Sequence, residues 1–211
     1  MDTRKHLENL NEIKQIMERS TRFLSLSGLS GIVAGLSALI GAILAFVVLN
    51  KNSHIKGLQY FDSAVIMDLQ LHVFYQLLSI GIVVLLVALF FGFYFTNRKA
   101  KRDGQTVWSK ASKELMINMF VPLATGGVFS LLLIHHHLYG LVAPVTLIFY
   151  GLACVNASHV THNEIRNLGY FNIILGLINV YFIGYGLLFW AMGFGVMHII
   201  YGTVMYFKYE K

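Results

Sequence analysis

Three consecutive histidines, His135, His136 and His137, form the densest group of potential metal ligands in this sequence. They follow a long apolar stretch, and the alternation of apolar stretches described below places His72 on the same side of a membrane. Neutral imidazoles bind Zn²⁺, Cu²⁺ or Ni²⁺ and change charge at about pH 6.5. One hypothesis is therefore a transition-metal or pH-sensing site. Because the sequence has no CxxC or HExxH spacing, a polar turn without a cofactor is favoured.

A second polar group lies inside the apolar stretches near the C-terminus. Asn172 and Asn179 belong to one stretch, and His198 and Tyr201 belong to the next. Two antiparallel helices joined by a short turn would place Asn172 and His198 at a similar depth. Ionisable groups inside a membrane are candidates for function. Since no acidic or basic residue lies at this depth, a neutral His198 hydrogen-bonded to Asn172 or Tyr201 is the favoured interpretation, and a proton or ligand site is the alternative.

No catalytic, nucleotide-binding or cofactor motif is recognisable, so we expect no enzymatic activity. The single cysteine, Cys154, leaves no intramolecular disulfide and no CxxC site. The sequence does not gather Ser/His/Asp, Cys/His or paired carboxylates at a shared depth. The formal net charge of +6 could suggest a nucleic-acid partner. Because the basic residues lie beside the ends of apolar stretches and no recognition module is present, no nucleic-acid binding is expected.

Six stretches of the chain are apolar enough to cross a bilayer, which takes about 17 to 25 residues each. The 211 residues are 56% hydrophobic with a mean hydropathy of +0.65, above the roughly 45–50% apolar content of soluble domains. The period-2 alternation of a barrel is absent, so the spans should be helices. The sequence predicts an all-α polytopic membrane protein whose six transmembrane helices form three antiparallel hairpins. The predicted spans are 23–49, 69–95, 115–134, 138–157, 168–183 and 187–207.

The positive charges alternate with these spans. Of the 16 Lys and Arg residues, all but Lys51 and Lys56 fall on the same side. Short cytoplasmic segments retain Lys and Arg, so both termini are expected in the cytoplasm. The basic connection 98–113 is expected to attract anionic lipid headgroups, at about 1 kcal/mol per basic residue.

The N-terminal arm, residues 1–22, is expected to be the only sizeable soluble element of the chain. Leu7, Leu10, Ile13 and Met17 recur every three or four residues, which predicts an amphipathic cytoplasmic helix. It could dock a protein partner or form a homodimer, or it could lie on the membrane or on the protein's own inner face. Since about two heptads fall short of a coiled coil, the second interpretation is favoured. The six-helix domain is then 23–207, and 208–211 is a cytoplasmic tail.

Small residues recur at helical spacing in the first and last spans, where they would allow helix backbones to approach closely. The expected packing residues are Gly28, Gly31, Gly35, Gly169, Gly176, Gly195 and Gly202. The first span should therefore be buried among neighbours within the monomer. In the last hairpin, the stripe containing Gly169 and Gly176 is expected to face the stripe containing Gly195 and Gly202.

Three segments carry a resemblance to a known group of proteins. They are GLVAPVTLIFYGLACVNAS (140–158), EIRNLGYFNIILGLI (164–178) and GYGLLFWAMGFGVMHIIYG (184–202). Through them the chain resembles an uncharacterised family of small bacterial six-helix inner-membrane proteins. The last hairpin, through IILGLI and IIYG, is also faintly similar to HdeD-like acid-stress membrane proteins. The resemblance implies a bacterial cytoplasmic (inner) membrane location and this fold, and it assigns no activity and no functional residues.

Two classes of function are compatible with the sequence. The favoured one is a non-enzymatic accessory, regulatory or stress-related membrane component, because the spans lack carboxylates and the chain has an amphipathic arm. The alternative is a small transporter or a metal- or pH-responsive protein that uses the outer histidines and a path near His198, Asn172 and Asn179. The scarcity of charged residues in the spans counts against that alternative.

Overall fold

The computed structural model describes residues 23–52, 71–104 and 108–211. Within these residues the secondary structure is helical, without strands, which confirms the predicted all-α class. The predicted amphipathic arm, 1–22, and most of the connection between the first two predicted spans lie outside the described residues.

The long helices are α1 (Gly28–Asn52), α2 (Leu71–Arg102), α3 (Lys110–His135), α4 (Val142–Ala157) and α5 (Asn163–Tyr181). The last helical stretch has three parts: α6 (Gly186–Trp190), a π-helical turn (Ala191–Val196) and α7 (Met197–Tyr209). Short 3₁₀ turns at Tyr139–Leu141, Ser158–Val160 and Ile183–Tyr185 connect the helices. We refer to Ile183–Tyr209 as the C-terminal span.

Five of these helical stretches are long and apolar enough to cross a membrane: Gly28–Lys51, Val73–Arg102, Lys110–His135, Tyr139–Val160 and Ile183–Tyr209. The predicted fifth span, 168–183, corresponds to α5, which does not reach the same hydropathy. Glu164 and Arg166 in its first turns and two buried asparagines further along lower its apolar content. The described chain thus has five to six long helices compatible with a membrane helical bundle, and α5 is the most polar of them.

The helices do not pack only as sequential pairs. α1 packs on α2, α3 on α4 and α4 on α5, but the C-terminal span packs more extensively against α1 than against α5, its neighbour in the sequence. The predicted pairing of the last two spans as a hairpin is therefore a minor contact. The N-terminus of α1 and the C-terminus of the chain consequently meet at the same end of the bundle, which we call the basal end.

Local sequence explains how α3 begins and how it meets α4. Ser109 and Ser112 form a reciprocal capping box with two 3.1 Å hydrogen bonds, which satisfies backbone donors of the first turn. Pro122, inside the helix, cannot donate to the carbonyl of Asn118 four residues earlier. That carbonyl instead accepts a 2.9 Å hydrogen bond from Nδ2 of Asn156 on α4. A side chain of the neighbouring helix therefore replaces the bond that proline removes.

The outer surface of the bundle is strongly apolar. α2 contacts mainly α1, and its long apolar side chains, among them Leu86 and Phe90, are exposed. Between the two helices runs a shallow groove of about 350 Å³, lined mostly by aliphatic side chains together with Ser37, Gly41 and Ser79. A surface of this kind is expected where the surrounding solvent is lipid.

Candidate functional site

The next-to-last residue of the chain caps the first helix. The carboxylate of Glu210 accepts hydrogen bonds from the backbone N–H of Gly28 and, at 3.2 Å, from Oγ of Ser27. A negative charge at a helix N-terminus is stabilised by unpaired N–H groups and by the helix dipole. This contact joins residues 182 positions apart in the sequence.

A buried lysine completes this contact from α2. Nζ of Lys99 donates a 2.8 Å hydrogen bond to the carbonyl of Leu26 and lies 3.9 Å from Oε1 of Glu210. The Lys99 and Glu210 side chains are only 5% and 7% exposed. The sequence predicts Lys99 among the lipid-facing basic residues of 98–113, but the structure places it inside. The carbonyl of Leu26 and the carboxylate of Glu210 supply the acceptors that a buried ammonium needs. Arg98, Lys101, Arg102, Lys110 and Lys113 are exposed.

The connection between α4 and α5 binds the segment that precedes α1. The N–H of Phe23 donates to the carbonyl of Val160 at 2.8 Å, and Oγ1 of Thr161 donates to the carbonyl of Phe23 at 2.7 Å. Nε2 of His162 donates to the carbonyl of Leu24 at 3.0 Å. Burial lowers the pKa of His162 below its usual value, although the hydrogen bond to Leu24 opposes this shift. The segment 23–27 is therefore held in place just after the N-terminal arm.

A second ion pair joins α5 to the end of the C-terminal span. Oε1 of Glu164 accepts hydrogen bonds from Nζ of Lys208 and, at 3.0 Å, from the hydroxyl of Tyr209. The ring of Tyr209 also packs on His162, with centroids 4.2 Å apart. We call Lys99, Glu210, His162, Glu164 and Lys208 the basal cluster.

Further inside the bundle, His198 forms a hydrogen-bonded pair with Tyr150 of α4. Its Nε2 lies 2.6 Å from the Tyr150 hydroxyl and its Nδ1 lies 3.0 Å from the carbonyl of Gly193. A carbonyl only accepts, so these partners assign the proton to Nδ1, and Nε2 of the neutral ring accepts from the tyrosine. The expectation that His198 bonds to Asn172 or Tyr201 is wrong, because Tyr150 and Gly193 occupy both ring nitrogens. Tyr150 cannot be recognised as a partner from its sequence context, because a single tyrosine in an apolar span resembles a surface residue.

The π-helical turn explains why the carbonyl of Gly193 is available to a side chain. In this turn the N–H of Met197 bonds to the carbonyl of Met192, five residues earlier. An α-helix would have directed it to Gly193 instead. The imidazole of His198 donates to the carbonyl that Met197 leaves. Single-turn π-helices of this kind occur frequently at functional sites.

Asn172 reaches the same turn from α5. Its Nδ2 donates to the carbonyl of Leu168 at 2.9 Å, while its Oδ1 lies so close to Gly193 that an added Cβ there would be 2.6 Å away. Asn172 and His198 thus both meet Gly193 without a hydrogen bond between them in the structure. Asn179 is fully buried two turns further along α5, and Tyr201 packs against the apolar cluster that contains Cys154 and Leu168.

The predicted packing glycines lie at helix contacts, but not at the expected one. A Cβ added at Gly35 would lie 2.6 Å from the carbonyl oxygen of Gly195, and one added at Gly202 would lie 2.5 Å from that of Gly28. Gly31 faces Gly202 as well. These glycines therefore bring α1 against the C-terminal span.

The α5 glycines face a different helix. A Cβ at Gly169 would lie 2.7 Å from the carbonyl oxygen of Gly151, and one at Gly176 would lie 2.9 Å from that of Pro144. The expectation that the two stripes of the last hairpin face each other is wrong. A glycine stripe indicates where another helix backbone can approach closely. Because glycine has no side chain, the stripe does not specify which neighbouring helix packs there.

Of the three consecutive histidines, His135 is the last residue of α3, and His136 and His137 form the short turn that follows. Nδ1 of His137, which has a φ of 59°, lies 3.0 Å from the Tyr139 hydroxyl, and the rings of His135 and His136 lie 5.2 Å apart. His72 belongs to α2, but its side chain is outside the described part of the structure. Among the described residues, no three His, Cys, Asp or Glu side chains are placed to hold a metal ion.

Comparison with known proteins adds no assignment. No family model, no curated protein and no solved structure matches the chain. The features on which the class of protein can be based are therefore structural. The described part of the chain is all-helical, with long apolar helices compatible with a membrane bundle, a polar interior around Gly193 and an ion-paired basal end.

Proposed function

We propose that the chain is an integral protein of the bacterial cytoplasmic membrane with both termini in the cytoplasm, acting as a non-enzymatic accessory, regulatory or stress-related component. The basal end supports this orientation. Nearly all described Lys and Arg residues lie at that end. Among the described residues, Lys51 is the one Lys or Arg at the opposite end. Cytoplasmic segments retain such charges.

The role as an accessory component rests on one observation: the segment 23–27 is bonded from three separate parts of the chain. The α4–α5 connection holds Phe23 and Leu24, Lys99 of α2 holds Leu26, and Glu210 holds Ser27. A force on the N-terminal arm would therefore reach α2, α4, α5 and the C-terminal span in addition to α1. A protein partner of the arm could act on the bundle, or the bundle on the partner, through these bonds.

Orientation is tested by reporters fused after Lys211 in a bacterial host. A fluorescent protein that matures only in the cytoplasm should be bright, and alkaline phosphatase, which needs the periplasm, should be inactive. A matched fusion after Leu138, in the turn between α3 and α4, should give the opposite result. An active phosphatase at Lys211, or protein that stays in solution after ultracentrifugation of a detergent-free lysate, would overturn the proposed topology.

The role of the arm is tested by removing residues 2–22. In native gels of solubilised membranes, the full chain should migrate more slowly than its own purified monomer. The shortened chain should migrate like its own purified monomer. A variant with Lys110→Ala and Lys113→Ala, which keeps the arm, is the control and should behave like the full chain. Equal migration of the full and shortened chains would contradict a partner at the arm.

The exposed basic residues at the ends of α2 and α3 suit a second partner, the anionic headgroups of the bilayer. Trp108 is 67% exposed beside them, as aromatic side chains at the headgroup level often are. Flotation with neutral liposomes and with liposomes containing phosphatidylglycerol tests this. The Lys110→Ala, Lys113→Ala variant should lose part of the preference for the anionic liposomes.

The alternative, a metal- or pH-responsive protein using His72 and His135 to His137, gains no support from the described residues. It is tested directly by metal analysis of the purified protein. Stoichiometric zinc, copper or nickel that disappears when His135, His136 and His137 are replaced by alanine would favour the alternative over the accessory role.

A further inference from the structure

The interior of the bundle consists of two closely packed helix pairs. α4 and α5 touch through Gly151 and Gly169, and α1 touches the C-terminal span through Gly35 and Gly195, with backbone atoms of one helix where a side chain of the other would lie. Such glycine contacts let helices pack at short distance and hold them firmly. The interface between α5 and the C-terminal span has less extensive packing, and we call it the polar interface.

The face of α5 that lines the polar interface carries buried asparagines. Asn172 meets Gly193 of the C-terminal span. Seven residues are almost two helical turns, so Asn179 lies on the same face, two turns further from the basal end. Glu164, about two turns on the other side of Asn172, bonds to Lys208 of the same span. One face of α5 thus carries polar side chains along most of its length.

These side chains are the ones whose hydrogen bonding is incomplete. Among the described residues, the buried side-chain atoms without a partner are Oε2 of Glu164, Oδ1 of Asn172, and both Oδ1 and Nδ2 of Asn179. Asn172 and Asn179 are fully buried. All four atoms belong to α5. Leaving a buried polar group unpaired is unfavourable, because its hydrogen bonds to water are lost without replacement, and apolar residues would have avoided that cost. The distribution therefore points to a ligand that pairs with these atoms.

The hydrogen-bonding character and the positions of the four atoms restrict which kind of ligand can pair with them. Together they offer three acceptors and one amide that donates, and they are spread along the helix rather than gathered around one point. Water satisfies scattered donors and acceptors in this way, and ordered internal waters typically make two to four hydrogen bonds. A larger solute would need a single cavity with converging groups.

We propose that the polar interface admits a file of water molecules between Glu164 and Asn179 when the two helix pairs separate, and that protons cross the membrane along this file. A proton enters as hydronium at one end, each water passes a proton to the next, and a proton leaves at the other end. No group is oxidised or reduced. Tyr150 and His198 lie beside the middle of the path, and their O–H···N bond can exchange with a neighbouring water.

The inference rests on the proposed membrane insertion and is tested with the purified full chain in liposomes that contain a pH-sensitive dye. A potassium gradient with valinomycin supplies the driving potential. Wild-type proteoliposomes should change internal pH several-fold faster than protein-free liposomes. Asn172→Leu and Asn179→Leu should each return the rate towards that of protein-free liposomes, because leucine removes the groups that bind water.

The matched control is Asn167→Leu, which makes the same change on an exposed face of α5 and should conduct like the wild type. Wild-type flux equal to that of protein-free liposomes would overturn the inference, as would full flux in both Asn172→Leu and Asn179→Leu. If either variant fails to fold, the wild-type rate and the other variant still decide. Protein that floats with the liposomes but conducts no protons contradicts this inference alone, whereas protein that does not float contradicts the proposed membrane insertion.

Discussion

The carboxylate of Glu210 accepts a hydrogen bond from the backbone N–H of Gly28, so the next-to-last residue of the chain lies at the first residue of α1. Lys99 lies 3.9 Å from the same carboxylate. The C-terminus is thereby part of the folded bundle. Its removal should affect α1 and α2 as well as the C-terminal span.

We expect Glu210→Ala to lower the thermal stability of the detergent-solubilised protein. The change removes a helix cap and leaves the Lys99 ammonium buried without its carboxylate, and breaking a buried pair from one side costs about 3–5 kcal/mol. Lys211→Ala, one residue further along and exposed, is the control and should have little effect. Adding Lys99→Met to Glu210→Ala should recover part of the loss. A Glu210→Ala protein as stable as the wild type would mean that this contact contributes nothing.

The contact between α1 and the C-terminal span should be intolerant of small additions. At Gly35 a Cβ would lie 2.6 Å from the carbonyl oxygen of Gly195 and 2.9 Å from the backbone nitrogen of Ile199. We therefore expect Gly35→Ala to destabilise the protein by about 1–3 kcal/mol, as overpacking typically does. Gly127→Ala on α3, where nothing lies within 4 Å, should be neutral or stabilising. Thermal unfolding measured side by side compares the two, and equal effects would be inconsistent with close backbone contact.

The class and most helices of this fold follow from hydropathy alone, because a long apolar stretch has few alternatives to a buried or lipid-exposed helix. α5 is the helix that hydropathy predicts least well. Glu164, Asn172 and Asn179 lower its hydropathy although it is packed between α4 and the C-terminal span. Hydropathy predicts its apolar part from residue 168, but the helix begins at Asn163. Its first turns are polar and mostly exposed, and Glu164 there bonds to Lys208.

The partners within the site were harder to predict than its members. Asn172, Asn179 and His198 were identified as unusual for an apolar span. Tyr150 was missed because its role depends on which face of α4 meets His198. The pair of Lys99 and Glu210 is 111 residues apart, and no local pattern relates the two. Residue types indicate that a polar group needs a partner, whereas only the packing of the helices decides which partner it has.

The pair of Tyr150 and His198 should stabilise the structure through its hydrogen bond. We expect Tyr150→Phe to cost about 1 kcal/mol, the usual net value of one bond, and somewhat more because Nε2 of His198 is left unpaired in an apolar interior. His198→Phe removes the bond to Gly193 as well. In a double-mutant cycle the combined variant should lose less than the sum of the single variants. Additive losses would indicate that the two side chains do not interact.

The same cycle separates two interpretations of His198. If the residue only joins helices, His198→Phe should change thermal stability and leave the proton flux of proteoliposomes unaltered. If the pair takes part in proton passage, flux should fall in both single variants even when they are folded. Flux that is unchanged in both would leave His198 with a structural role alone.

The basal cluster should make stability depend on pH through His162. Burial lowers the pKa of His162 in the folded chain, so the unfolded chain binds the proton more readily. The stability contributed by the neutral ring is therefore fully present above about pH 6.5, the pKa of an unperturbed histidine, and decreases as the pH falls towards the folded value. We expect the thermal midpoint of the wild type to decrease as the pH is lowered from about 7.5 to about 5.5. The decrease should be smaller in His162→Gln, because glutamine keeps a donor for Leu24 but does not titrate in this range.

The control is His159→Gln, at an exposed position three residues away, which should retain the wild-type pH dependence. If His162→Gln and the wild type lose the same stability over this range, another group is responsible, and the hydrogen bond between His162 and Leu24 does not couple the N-terminal segment to pH.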